Sequence, residues 1–508
     1  MSGNVRFDEL AIQMYPSAVL HRFGVNGKIS GSVGAIGEME NVLMVLHSPK
    51  GCGFHYRFSA RRRHEPLYHI ETTGLEEYDV IFGGDGKLVD TVRKAYERYR
   101  PELILIVSSP VSDILNEDTL AAAGELREKY GIPVIAVKSE LFSHRDKNYS
   151  RKRLKALASQ KITGNQKLEM ELLGCGFTEV LYALVEQVME PCQVQPRSIN
   201  IETVGWGSEG IRTLSEIRSC LLEAGIQVNT LIPSCKVEEI KKAPAAALNV
   251  AKRVRWAKRM KERFGTEYLH LAGGRYQGLE GIGNFYNDIA KLLGLEEKMA
   301  EIVERKRTEA LLATKEKREA LGKYRCTMVS RYISVAPFAL KTYLCDYGFQ
   351  IDRVCLIVTE DTRRTSDITD ELLEKLLSRV EDACRIYGNE ISISVNPTEE
   401  ELEKMLDGAD LIIGTNDFTM EGRGVSVLPD KLEDMSYSFE SYVRSVNRIY
   451  EACENRSEKK NLLLNKMNVT RESFPLPDAD GSRMAREMWN QMWLNRKEGE
   501  NHAGSGRM

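Results

Sequence analysis

The tract HSPKGCGFHY (residues 47–56) sets a cysteine, Cys52, between two glycines directly after an apolar run. A thiolate in such a loop is open to ligands, and soft sulfur donors suit iron–sulfur chemistry. Gly51 and Gly53 let the backbone approach a bulky group closely. The alternative for Cys52 is a plain structural thiol. Just downstream, RFSARRRH (residues 57–64) holds four arginines and a histidine in eight residues. This local positive field can bind an anionic substrate, offset the charge of a reduced cluster or dock an acidic partner. Arg61, Arg62 and Arg63 are the candidates, because guanidinium favours bidentate carboxylate or phosphate contacts. A solvated surface turn is the competing account.

Two glycine-rich tracts raise the question of phosphate binding, GGDGK (residues 83–87) and AGGRYQGLEGIG (residues 272–283). Neither has the GxxxxGK[ST] or GxGxxG spacing. Both read as tight loops, and the chain shows no nucleotide site of its own. Arg275, in the second tract, can face a ligand or close a salt bridge. Cys175 lies between glycines in LLGCGFTEVL at a helix start, where backbone N–H groups favour a thiolate. The other eight cysteines read as core or linker residues. His270 reads as a core residue rather than a ligand. The basic stretch at 251–264 (AKRVRWAKRMKERF) reads as an exposed helix face with Trp256 half buried.

These residues need elements to hold them. Short apolar runs rich in β-branched residues fall at 42–47, 79–82, 103–108, 133–137, 199–204, 228–232, 268–271, 328–329 with flanks, 354–358, 391–395 and 411–413. The region around Tyr68 is too broken by polar residues to count. Between the runs lie amphipathic helical patterns at 86–99, 119–130 and 210–224. Strands alternating with helices predict an α/β fold of parallel sheets covered on both faces. The strands cluster into three groups, which predicts three Rossmann-like domains around a central cleft. The expected boundaries are an N-terminal extension at 1–30, domains at 31–195, 196–320 and 321–475, and a C-terminal tail at 476–508. A proline-bearing linker at 190–197 and a long charged helix at 296–324 mark the breaks. The polar end at 495–508 reads as disordered. Ligands of such sheets sit beyond the carboxyl ends of the strands.

Composition sets limits. The chain has 508 residues, 42% hydrophobic and 29% charged, with net charge −3. That is globular composition, and a dedicated nucleic-acid binder would carry a basic excess. No run approaches the ~20 apolar residues of a membrane span. The opening MSGNVRFDELAIQ lacks the apolar stretch of a secretory signal. Ten scattered cysteines without a CxxC pair suit a reduced, cytoplasmic protein.

The tracts HSPKGCGFHY, ETTGLEEYDVIFGGDGKLVDTV, VSSPVSDILNEDT and IPVIAVKSELF, with residues 237–294, resemble the nitrogenase component 1 superfamily in order and spacing. The resemblance runs from about residue 40 to residue 420. It implies a metal cluster, a sister subunit of similar fold, and an ATP-dependent iron–sulfur reductase that donates electrons. It also implies low-potential oxidoreductase chemistry. The family's cluster cysteine in the G-P-x-G-C loop falls on Cys52. Its earlier cysteine would fall near Asn26, and its third among Ser108, Ser109 and Pro110; neither is present here. The second-domain cysteine and third-domain histidine that hold the larger catalytic cofactor are also missing. A partner chain can supply the other cluster ligands, two copies of Cys52 can meet in a homodimer, or the cluster is lost. The resemblance equally admits a metallocofactor assembly scaffold or a non-catalytic partner subunit.

Overall fold

The computed structural model describes residues 28–62, 70–115, 117–137, 176–203, 208–271, 273–276, 278–330, 336–358, 369–388, 390–414, 426–429 and 437–454. Expectations for Asn26, Arg63, Cys175 and the C-terminal tail lie outside them. The chain divides into two compact units. One is formed mainly by residues 21–276 and 281–305, the other mainly by 277–280 and 306–508.

The first unit holds two parallel four-stranded sheets. In one, β1 (Val42–His47), β2 (Ile70–Thr72), β3 (Leu103–Ser108) and β4 (Val134–Val137) lie in the order β2-β1-β3-β4. Every residue of β1 and β3 is buried. Alternate side chains serve opposite faces. Leu43, Val45, Ile104 and Ile106 meet helices Asp85–Tyr99 and Thr119–Tyr130. Met44, Leu46, Leu105 and Val107 meet helices Lys28–Gly37 and Gly176–Gln187 on the other. The second sheet repeats the pattern: β5 (Gln195–Glu202), β6 (Gln227–Ile232), β7 (Ala246–Ala251) and β8 (Glu267–His270), in the order β6-β5-β7-β8.

The other unit holds one five-stranded parallel sheet, ordered β11-β10-β9-β12-β13. Its strands are β9 (Arg325–Ser330), β10 (Gln350–Leu356), β11 (Ser392–Val395), β12 (Leu411–Gly414) and β13 (Ser426–Pro429). The three-sheet α/β expectation is met.

Four sequence expectations are corrected. The apolar run at 79–82 predicts a strand, but helix Glu77–Phe82 forms instead. Glu76 and Asp79 close a reciprocal capping box there, and none of the helix's residues is buried. A four-residue apolar run does not separate strand from helix by periodicity. The edge strand is Ile70–Thr72, just beyond the polar-broken region around Tyr68. Second, β7 and β13 are absent from the apolar runs that the sequence displays. β7 carries the buried Asn249, whose Oδ1 accepts the side-chain amide of Asn200 at 2.8 Å. Third, most of the tract at 272–283 is helical, not loop. Helix Gly278–Leu293 runs so close to the turn Gly273–Tyr276 that a Cβ on Gly281 would lie 2.2 Å from the Tyr276 carbonyl carbon.

Fourth, Trp256 is fully buried. Its indole N–H donates to Glu202 Oε2 at 2.9 Å. The basic helix Val254–Phe264 is not a free cationic face either. Arg255 pairs with Glu179 and Arg259 with Glu186, both on helix Gly176–Gln187.

Candidate functional site

In the order β2-β1-β3-β4 the chain leaves β1 and β3 toward opposite edges of the sheet. The carboxyl ends of these two strands are therefore the switch point where such sheets bind ligands. His47 and Ser108 are register partners there. Helix Lys50–Arg62 leaves from β1, and Cys52 lies in its first turn, with its N–H donating to Pro49 O at 3.2 Å. Cys52 is half buried. Tyr56 stands one turn on, its phenol pushed up to about 12 by burial and then by the Cys52 charge.

The β3 side carries no thiol. Ser109 is fully buried and caps helix Pro110–Ile114, exchanging hydrogen bonds with Ser112: Ser109 N–H to Ser112 Oγ at 2.8 Å, Ser112 N–H to Ser109 Oγ at 3.3 Å. Ser112 Oγ donates to His47 O at 2.9 Å. Ser109 thus serves loop geometry.

Behind the Cys52 loop lies a pair that sequence reasoning does not reach. His47 has no exposed surface. Its Nδ1 lies 3.0 Å from Thr73 Oγ1 and its Nε2 hydrogen-bonds Glu117. Glu117 Oε1 also accepts the Gly84 N–H, so GGDGK contributes a backbone donor to a carboxylate. His47 opens the most informative tract of the sequence, yet Glu117 is 70 residues away. Only the sheet order brings them together.

Of the other candidates, Arg61 and Arg62 lie on the last turn of helix Lys50–Arg62, and their side chains are outside the described residues. Arg275 is ion-paired: its Nε and a terminal nitrogen meet both Asp288 oxygens at 2.8 Å. Tyr276 donates to the same carboxylate at 2.9 Å. Of the two uses open to Arg275, the structure displays the salt bridge. His270 is buried at the end of β8. Burial pushes the thiols of Cys235, Cys355 and Cys384 up, which suits inert core residues.

Among the described residues no three His, Cys, Asp or Glu side chains stand together as a metal site. By donor chemistry the described residues around Cys52 offer a single soft donor, which suits one corner of an iron–sulfur cluster and not a complete site. Pro49, whose carbonyl accepts the Cys52 N–H, joins Leu75 and Glu77, Tyr78, Val80 and Ile81 of helix Glu77–Phe82 in lining an open groove. Tyr78, Ile81 and Phe82 are 69%, 73% and 69% exposed, and Phe54 on the Cys52 helix is 64% exposed. Single exposed apolar residues are ordinary, but Tyr78, Val80, Ile81 and Phe82 together on one short helix make a patch of the kind that partners cover. No described helix is long and apolar enough to cross a membrane.

Comparison with known proteins agrees with this architecture. A solved nitrogenase structure, "Nitrogenase Cp1 at pH 5", aligns with a TM-score of 0.54 at 18% identity, over 86% of this chain and 90% of that one, which establishes the fold. The nitrogenase iron-molybdenum cofactor biosynthesis protein NifE of Clostridium pasteurianum is 27% identical over 263 residues, 50% of this chain and 51% of that protein. Component CfbD of the Ni-sirohydrochlorin a,c-diamide reductive cyclase complex of Methanothermobacter thermautotrophicus is 34% identical over 113 residues, 22% of this chain and 30% of that protein. The chain thus spans about half or less of the length of these curated relatives. The family model described as nitrogenase component 1 type oxidoreductase matches residues 28–421. With that match across most of its length, the chain belongs to the nitrogenase component 1 type oxidoreductase family.

Proposed function

We propose that this chain is a subunit of a nitrogenase-like complex that passes low-potential electrons from an ATP-dependent iron–sulfur reductase to a reducible substrate. Cys52 gives this chain's thiolate to an iron–sulfur cluster, and a sister subunit completes the ligand set. An iron–sulfur cluster supplies one-electron chemistry where it is bound. The carrying observation is the placement of Cys52, half buried at the switch point of a parallel sheet, in a loop whose Pro49 lines a groove with the exposed helix Glu77–Phe82. One thiolate leaves a cluster short of ligands, and the neighbouring patch suits a covering chain. Arg61, Arg62 and Arg63 serve the electrostatics of substrate or partner. Arg275 acts there only if its Asp288 pair opens. On this reading ATP is hydrolysed on the reductase, and the complex works in the cytoplasm without nucleic acid or membrane.

The test is anaerobic purification with the neighbouring gene product, followed by iron and sulfide analysis. A complex free of both refutes the cluster.

The resemblance to a cofactor biosynthesis protein supports a second reading, a scaffold that holds a metallocofactor during assembly. Supplying the complex with reductase and ATP separates the two. Substrate reduction selects the oxidoreductase, and cofactor transfer without turnover selects the scaffold.

A further inference from the structure

We infer that His47 and Glu117 are a positioning pair that sets the hydrogen-bond state of the loop carrying Cys52. The inference rests on the reading of Cys52 as the working thiolate.

The pair ties three strand ends together. His47 ends β1, Thr73 follows β2, and Glu117 lies beyond β3. His47 and Thr73 are buried, and the Glu117 side chain is 4% exposed. Gly84 closes the group from a fourth segment: a Cβ there would lie 2.9 Å from Glu117 Oε1 and 3.2 Å from the His47 ring. A buried ionised carboxylate is satisfied only by donors. Glu117 therefore takes the Gly84 N–H on one oxygen and the His47 Nε2–H on the other.

That assignment fixes the tautomer. A ring that carries its single proton on Nε2 presents Nδ1 as an acceptor, and that is the form the inference assigns. Thr73 has one hydroxyl hydrogen and two acceptors within reach, His47 Nδ1 at 3.0 Å and Ser48 O at 3.3 Å. The ring nitrogen takes the hydrogen. Thr73 Oγ1 meanwhile accepts the Ser48 N–H at 3.0 Å. Ser48 leads into Pro49, whose carbonyl accepts the Cys52 N–H. Helix Lys50–Arg62 also rests on Thr73 at Gly53, where a Cβ would lie 2.2 Å from Thr73 Cγ2. The orientation of the Thr73 hydroxyl is thus set by Glu117 through His47, and it reaches Cys52 through Ser48 and Pro49. Glu117→Gln lets an amide donate to Nε2. The ring proton then moves to Nδ1, and Thr73 turns its hydrogen to Ser48 O.

The test uses the metal-free full-length chain with 15N-labelled histidine, and follows iodoacetamide alkylation of Cys52. Cys192, half buried on the linker before β5, is the internal control. The expected result is an Nε2–H tautomer at His47 in the parent chain. In Glu117→Gln the tautomer changes and the Cys52 rate shifts, with the ~tenfold lower end of the effect that hydrogen-bond partners have on metal ligands as its scale. The Cys192 rate stays fixed, and Glu117→Asp restores the parent values. An Nδ1–H tautomer or a doubly protonated ring in the parent chain overturns the inference, as does an unchanged Cys52 rate in Glu117→Gln. If Glu117→Gln unfolds, buried Cys235 becomes reactive, and Thr73→Ser against Thr73→Val decides. The inference predicts parent behaviour for Ser and an altered Cys52 rate for Val; equal rates refute it. Because the readout needs no metal, a complex without iron sinks the cluster reading while leaving this result to stand or fall alone.

Discussion

Gly53 and Thr73 are in direct contact, helix backbone against strand-end side chain, with no room for a Cβ between them: a Cβ on Gly53 would sit 2.2 Å from Thr73 Cγ2. Thr73 is not free to turn away, because its hydroxyl is held by Ser48 and His47. Gly53→Ala must therefore push the Cys52 helix outward. Overpacking of this kind costs about 1–3 kcal/mol. Urea denaturation of the full chain should show that loss, whereas Gly51→Ala, with open space around it, should not.

Glu202 is the counterpart in the second sheet. Its buried carboxylate accepts the N–H groups of Lys252 at 3.0 Å and Arg253 at 2.9 Å, the Arg253 guanidinium at 2.7 Å and the Trp256 indole. It thus fills the N-terminal end of helix Val254–Phe264 with a side-chain anion. Glu202→Ala strands the Arg253 charge and should cost about 3–5 kcal/mol. Thermal or urea unfolding reads the loss directly. A variant as stable as the parent would refute this account of the helix start.

Asp346 should give a pH signature. Burial pushes its carboxyl from 3.8 up to about 6, against the Leu279 N–H and the nearby Lys341 and Arg318 charges, which favour ionisation. The folded chain therefore holds this proton more tightly than the unfolded chain. Its contribution to stability is present below the ordinary value of 3.8 and is lost as pH rises through about 6. Relative to Asp346→Asn, the parent should lose on the order of 2–3 kcal/mol between about pH 4 and about pH 7. Paired urea titrations of the two proteins should diverge in that direction; parallel titrations contradict it.

The exposed helix Glu77–Phe82 separates folding from association. None of its residues is buried, so Ile81→Lys and Phe82→Asp should change stability by no more than about 0.5 kcal/mol. If a partner covers the patch, the same changes should weaken its binding by about tenfold or more. Titration of the sister subunit and of the reductase against each variant identifies which one covers the helix. Unchanged affinity for both would remove the patch from the assembly.

How much of this is legible in the residues depends on sequence range. β1 and β3 are legible because strands buried on both faces must be continuously apolar. Cys52 is legible because its flanking glycines and the strand before it are local. Residues 79–82 mislead because a capping box, not an apolar run, decides that segment. The His47–Glu117 pair is invisible, since it depends on β3 lying beside β1 and not on any spacing. Arg275 shows the same limit: Asp288 sits 13 residues on and meets it across a turn and a helix.

The most direct test of the central claim is the iron and sulfide content of the anaerobically purified complex, compared between the parent chain and Cys52→Ala. Cys52 is half buried in the first turn of its helix, so the variant should fold and assemble. The account predicts iron and sulfide in the parent complex and their loss, with the cluster's electron paramagnetic resonance signal, in Cys52→Ala. Equal iron in both complexes, or none in the parent, would contradict it.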